Sequence, residues 1–264
     1  MAIKKTLELT PTSGEMLKPR ELIELEGTGP LTLQDRRVFN ALVNNAWGKD
    51  LGNSAKWFEI PTGELREDAT RNYRLADSIE RLMRTIVVVA DGETEKRTAL
   101  LSSNSLEVGS NRGVFRYKFT EELAELLKDS TVFAKLDLSV MRSFRSKYAF
   151  SLYEAVARRI RLRQFTEEFT PEALRTLLGV EDGKLKGTGN LNKFAIQTAL
   201  IEVNAISPFQ VSLTPKTKGK KVLGYVMGWN AKSEAALKAA YAELQRHSAG
   251  RGARTTDSVD VINT

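Results

Sequence analysis

The chain has 264 residues, no cysteine, and 40 Lys plus Arg against 33 Asp plus Glu, for a net charge of +7. Its 41% hydrophobic residues suffice for a core in each of two ordinary domains, while the missing thiols exclude disulfides and thiolate metal sites. No apolar run approaches the roughly 18 residues of a membrane-spanning helix, so composition predicts a globular, non-exported protein of a reducing cytoplasm with a polyanionic partner.

Residues 1–29 mix acids, Pro and Gly with little periodicity and read as a flexible arm carrying a short helical piece around Arg20 to Leu25. Helical spacing then appears at Phe39, Leu42, Val43 and Ala46. Trp57, Phe58 and Ile60 predict a short strand, followed by a brief helix at PTGELRE. Leu75, Ile79, Leu82, Met83 and Ile86 predict a longer helix running into Val87 to Val89. Two strands are expected around Thr98 to Ser102 and Val114 to Phe119, and Thr120 then caps the helix EELAELLKD.

From residue 131 the order repeats. Ala149, Leu152, Tyr153, Val156, Ala157 and Ile160 mark a first helix, and Thr170 with Pro171 opens a second that ends at Gly179. Ile196, Ala199, Leu200 and Val203 mark a third. Phe209, Val211 and Leu213 alternate as a strand, a basic turn spans Thr214 to Lys221, and Val222 to Trp229 returns. The predicted fold is α+β: two tandem winged-helix domains related by internal duplication, at 30–130 and 131–247, with a disordered tail at 248–264. The helix from Ala235 to Gln245, with apolar Leu237, Ala240, Tyr241 and Leu244, is expected to pack on the second domain.

Charge is concentrated in the second half. Seven basic residues against Glu154 alone fall between Ser139 and Arg163, and seven against Glu202 alone between Lys184 and Lys221. Asn192, Lys193 and Gln197 at the start of the third helix carry the amide and ammonium chemistry that reads base edges and phosphates; a polar solvated face is the alternative. Lys216, Lys218, Lys220 and Lys221 beside Gly219 fit a hairpin resting on phosphates, or a lysine-protected edge. Arg142, Arg145 and Lys147 extend the candidate DNA surface. Arg71, Arg74, Ser78 and Arg81 share one face of the first-half helix, suited to phosphates or to pairing with Asp77 and Glu80.

Enzymatic readings find little support. His247 is the only histidine, which rules out a two-histidine nicking site within one chain. Gly179 to Lys184 has one residue too few for a phosphate-binding loop and follows a helix, so a helix-ending turn is expected. Glu167 and Glu168 are assigned to the dipole of the Thr170 helix. No cofactor, metal or catalytic residue is expected.

The segments RSKYAFSLYEAV (Arg145 to Val156), FTPEALRTLLGV (Phe169 to Val180), LNKFAIQTALIEVNAI (Leu191 to Ile206) and GKKVLGY (Gly219 to Tyr225) resemble, in order and spacing, the second winged-helix domain of iteron-binding plasmid replication initiators. The resemblance covers about residues 30 to 230. It implies a protein that binds direct repeats of double-stranded DNA at a plasmid origin, helps open the duplex, recruits host initiator and replicative helicase, and often represses its own promoter. Phe194 stands where such initiators often carry a basic residue, and Thr198 where proline is common. Self-association is expected of the first domain, through the Val87 to Val89 and Val114 to Phe119 strands, with the alternative that these form its core. A repressor without an origin role, and a basic scaffold for RNA or membrane, remain as rival functions.

Overall fold

The structure is a computed structural model, and it describes residues 11–66, 75–91, 94–106, 113–128 and 130–255. The described chain opens with strand β1 (Glu15–Pro19) and the one-turn helix α1 (Arg20–Ile23). Helix α2 (Leu33–Ala46) starts from a capping box, in which Thr32 Oγ1 accepts from the Asp35 amide and the Asp35 carboxylate accepts from the Thr32 amide at 2.8 Å. Its Val38, Phe39, Leu42, Val43 and Ala46 stripe is buried, as the spacing predicts.

Strand β2 (Phe58–Pro61), a 3-10 turn (Thr62–Leu65) and helix α3 (Leu75–Arg84) follow. Four strands come next rather than two: β3 (Ile86–Asp91), β4 (Thr94–Ala99), β5 (Leu101–Leu106) and β6 (Val114–Phe119), then helix α4 (Glu121–Lys128). β3 and β4 form their own hairpin, and the second trio assembles in the order β2-β6-β5. The expected Thr98 to Ser102 strand is thus a corner between β4 and β5, with Leu100 and Leu101 buried at the bend. Ile86 lies past the helix end, and 53% of its surface is exposed.

The second unit comprises β7 (Phe133–Asp137), α5 (Leu138–Ser143), α6 (Lys147–Arg159), β8 (Thr166–Phe169), α7 (Pro171–Leu178), α8 (Thr188–Leu191), a π-helical turn (Asn192–Ile196), α9 (Gln197–Ile206), β9 (Phe209–Lys218) and β10 (Lys221–Ala231). Its sheet order, β8-β10-β9, repeats β2-β6-β5. Phe58 faces Tyr117 across β2 and β6, and Phe169 faces Tyr225 across β8 and β10. The duplication is therefore a duplication of topology. Each wing sheet has three strands, because the chain before the second helical element pairs with the return strand; the β3–β4 hairpin is an insertion in the first unit.

Helix α10 (Glu234–Gln245) packs on α9 through Ala240, but Tyr241 faces solvent at 52% exposure. A last helix, α11 (Arg251–Thr255), occupies part of the expected disordered tail. Arg251 is buried there, donates to the Ser143 carbonyl at 2.8 Å and lies beside Glu243.

The expectation of a flexible arm fails for the described residues up to Gly29. Met16 and Leu17 have no exposed surface, and β1 pairs antiparallel with β7 from Glu15–Asp137 to Pro19–Phe133. Lys18 is buried in the joint and donates to both Glu154 oxygens at 2.8 and 2.9 Å, while Asn40 donates to the same carboxylate at 2.6 Å. Burial pushes the lysine down and Glu154 opposes this in part, so removal of either partner would leave the other buried without its counter-charge. A boundary at residue 130 would separate β1 from β7 and Lys18 from Glu154. One hydrophobic core runs through both units.

Candidate nucleic-acid interface

α8, the π turn and α9 form one helix with a widened middle, where the Gln197 amide donates to the carbonyl of Asn192, five residues back. The sequence pattern accounts for the widening. Leu191 and Asn192, Ala195 and Ile196, and Ala199 and Leu200 are buried pairs recurring every four residues. In an unbroken α-helix each step of four advances about 40° beyond a full turn, so such a stripe would wind off the core. The π turn holds it in line. The same spacing keeps Lys193 and Phe194 exposed, with Gln197 and Thr198 half-buried one turn on.

This geometry removes Asn192 from the predicted reading surface. The residue is buried, and its Oδ1 accepts from Tyr225 Oη at 2.9 Å. Burial pushes the Tyr225 phenol up, which keeps it a donor. Asn192 thus locks the start of the helix to the middle of β10. Lys193 and Gln197 remain at the surface, and the Lys193 ammonium lies 5.4 Å from the centre of the Phe194 ring.

The basic turn is a hairpin tip, made possible by Gly219 at a φ of +62°. Lys218, Lys220 and Lys221 are exposed and have no carboxylate partner among the described residues. Lys216 differs: it pairs with Glu168 at 2.7 Å. Glu167 meanwhile binds Arg159 at 2.6 Å. The two acids, on β8, thus have ion-pair partners on α6 and β9 in addition to their place ahead of the α7 N-terminus. Arg175 donates to the Leu185 carbonyl at 2.8 Å and to that of Lys184, fixing the loop that carries exposed Lys184 and Lys186 ahead of the third helix.

Arg142 and Arg145 are exposed, and the Arg145 amide donates at 2.7 Å to Glu202 on α9. Burial pushes the Glu202 carboxyl up, and this bond partly opposes it. Lys147 turns inward: its ammonium donates at 2.6 Å to the Gly29 carbonyl, and burial, aided by Arg36, pushes it down to about 8. It ties the N-terminal segment to the second unit and leaves the predicted phosphate surface. Gly179 ends α7 at a φ of +66°, and a Cβ there would collide with the Arg36 guanidinium. The expected helix-ending turn is thus also a place where the two units meet.

In the first unit the described residues of the predicted basic face turn to Asp35. Ser78 is fully buried and donates to Asp35, and Arg81 holds the same carboxylate at 2.8 and 2.9 Å. Asp35 thereby caps α2 and anchors α3, which is neither the phosphate role nor the pairing with Asp77 or Glu80 anticipated for Arg81. Arg71 and Arg74 lie outside the described residues. Val87, Phe115, Tyr117 and Phe119 are in the core and β6 is the central strand of its sheet, whereas β3 pairs with β4 and, at Val88 alone, with Glu26, so of the two strands expected to self-associate only β3 keeps an edge.

The family model for the initiator replication protein first winged-helix domain matches residues 15–157, more than half of the chain, and that for the second matches residues 170–229. The chain belongs to the initiator Rep family. A crystal structure of a Pi initiator protein in complex with iteron DNA matches with a TM-score of 0.59 at 15% identity, covering 85% of this chain and 100% of that one. A structure of domains 2 and 3 of RctB covers 75% of this chain and 81% of its own, with 10% identity and a TM-score of 0.47. A search of curated proteins returned no match. The first family model ends inside α6 and the second begins one residue before α7, with β8 between them.

Sequence reasoning missed a second basic region of this Rep protein. A cleft of about 770 Å³ between the 3-10 turn, the α5–α6 turn and the end of α10 is lined by Arg37, Arg66 and Arg246 together with Arg142, Arg145 and Arg251. Arg37 spans the cleft wall by donating to the carbonyls of Arg142 and Phe144. Arg142 and Arg145 belong to the basic run of the second half, but Arg37, Arg66, Arg246 and Arg251 are scattered along the chain, so no charge run announced the cleft they complete.

Proposed function

We propose that this Rep protein initiates replication of a plasmid by binding direct repeats of double-stranded DNA at the origin, with its second unit making the main contact. The observation that carries the reading is the grouping of Lys193, Phe194 and Gln197 on the exposed side of the third helix, beside a wing tip of three lysines free of carboxylate partners among the described residues. Ammonium groups on the wing suit phosphates, and a helix start bearing an amide and an ammonium suits a major groove. Arg142, Arg145 and the arginine cleft add positive charge between the units. The Pi initiator, a similar fold, is known bound to iteron DNA, which supports the same ligand here.

The protein acts by binding and deforming DNA rather than by covalent chemistry, in the bacterial cytoplasm. No helix among the described residues is long and apolar enough to cross a membrane. Recruitment of host initiator and helicase, a monomer–dimer equilibrium and promoter repression belong to the same proposal, supported by likeness to the family alone. Footprinting on the plasmid that carries the gene tests it. Protection of tandem sites about one helical turn apart is the expected result; a single protected promoter site would make the protein a repressor, and no protection would remove DNA as its ligand.

A further inference from the structure

Phe194 has no structural task that explains its position. It is 51% exposed in the middle of the π turn, between buried Asn192 and Ala195 on one side and half-buried Gln197 on the other. It is not among the residues packed on the core. A large aromatic at such a site leaves apolar surface in water, where Lys, Gln or Ser would cost nothing. Its surroundings are those of a polyanion site: the Lys193 ammonium lies against its ring at 5.4 Å, and the wing lysines follow from β10, to which the helix is tied through Asn192 and Tyr225.

We infer that Phe194 selects thymine at one position of the DNA site by packing its ring against the 5-methyl group in the major groove. The inference rests on the proposed DNA-binding function and adds a specificity-determining residue to it. The major groove presents donors and acceptors at every base pair but one apolar group, the thymine methyl, and that methyl is the matching surface for an exposed ring. The cation beside the ring supports this placement. An ammonium bound for a phosphate would carry the ring to the groove wall, while Gln197, one turn on, is placed for a neighbouring base edge. Asn192, the residue whose chemistry first suggested base reading, is occupied with Tyr225, so Phe194 takes its place on the reading side.

The test selects binding sites from random duplex libraries made either with dTTP or with dUTP, using full-length protein and its Phe194→Ala and Phe194→Leu variants. The parental protein should enrich a site with a thymine that loses its selection in the deoxyuridine library. On that site, replacing the one thymine by uracil should weaken parental binding about fourfold, the value of one buried methyl-sized group. Phe194→Ala should bind both duplexes equally, and Phe194→Leu should keep part of the preference. Equal binding of the thymine and uracil duplexes by the parental protein overturns the inference, as does a Phe194→Ala variant that keeps the parental ratio, while DNA binding stands. Failure of the parental protein to enrich any sequence would overturn the DNA-binding proposal, and this inference with it.

Discussion

The third helices of the two units occupy the same place in the same topology and present opposite chemistry. On α3 the exposed side carries Asp77, Glu80 and Arg84, with Arg84 paired to Glu80 at 2.5 Å, and Arg81 is committed to buried Asp35. On the helix around α9 the exposed side carries Lys193, Phe194, Gln197 and Thr198, with no acid before Glu202. Among the described residues, one copy of the duplicated helix has its arginines paired with carboxylates, and the other leaves Lys193 toward solvent. Position in a fold nominates a reading helix; the state of its side chains decides whether it can read.

The largest expected effect breaks the first copy. Asp35→Asn removes the charge that Arg81 and Ser78 hold and weakens the α2 capping box, which should cost about 3 kcal/mol of stability at neutral pH. Burial raises the Asp35 carboxyl, but hydrogen bonds from Arg81, Ser78 and Thr32 together outweigh it and hold the group below its ordinary value of 3.8. Its contribution is therefore complete above that value and lost as pH falls through the lower native one. The stability gap between parental protein and variant, measured by urea unfolding, should be level from about pH 5 to 8 and close below about 4. Arg81→Ala should lower stability in the same direction while leaving the salt dependence of DNA binding unchanged.

The wing sharpens the comparison from the other side. Replacing Lys218, Lys220 and Lys221 with Ala should leave the melting temperature within a degree or two. DNA affinity should fall, and the slope of log K against log salt should flatten by about 0.9 for each phosphate that is no longer neutralised. Fluorescence anisotropy across a salt series measures it. An unaltered slope would place the wing away from the DNA and undo the contrast between the two units.

The smallest effect concerns Asn192. Because it accepts from Tyr225 in the interior, Asn192→Ala should destabilise the protein by about 1 to 2 kcal/mol and leave base preference as it was. A changed preference with unchanged stability would show that Asn192 reaches the bases in the complex.

Much of the fold was legible because periodic burial is a local signal. The 39, 42, 43, 46 and 149, 152, 153, 156 stripes and the 209, 211, 213 alternation each announced the buried face they form. Asn192 was misplaced because its partner is 33 residues away and because the π turn shifts the phase that an α-helical wheel assumes. A four-residue recurrence of buried pairs was the available clue. Arg81 was misassigned for a similar reason: its carboxylate sits in another helix, 46 residues earlier. The N-terminal segment misled because EMLKP lacks alternation; Met16, Leu17 and Lys18 are all covered, so no face is polar.

The β1–β7 pairing also sets a timetable for synthesis. Residues leave a ribosome at about 5 to 20 per second, so Met16 and Leu17 emerge on the order of ten seconds before the strand they pair with. Lys18 waits longer still, since its carboxylate partner is 136 residues downstream. Throughout that interval β1 has α1 and α2 to pack on but lacks the strand that satisfies its edge. A chain that stalls or is cleaved before residue 133 keeps that edge unpaired, so truncated products of this gene should be cleared rather than accumulate as free first domains.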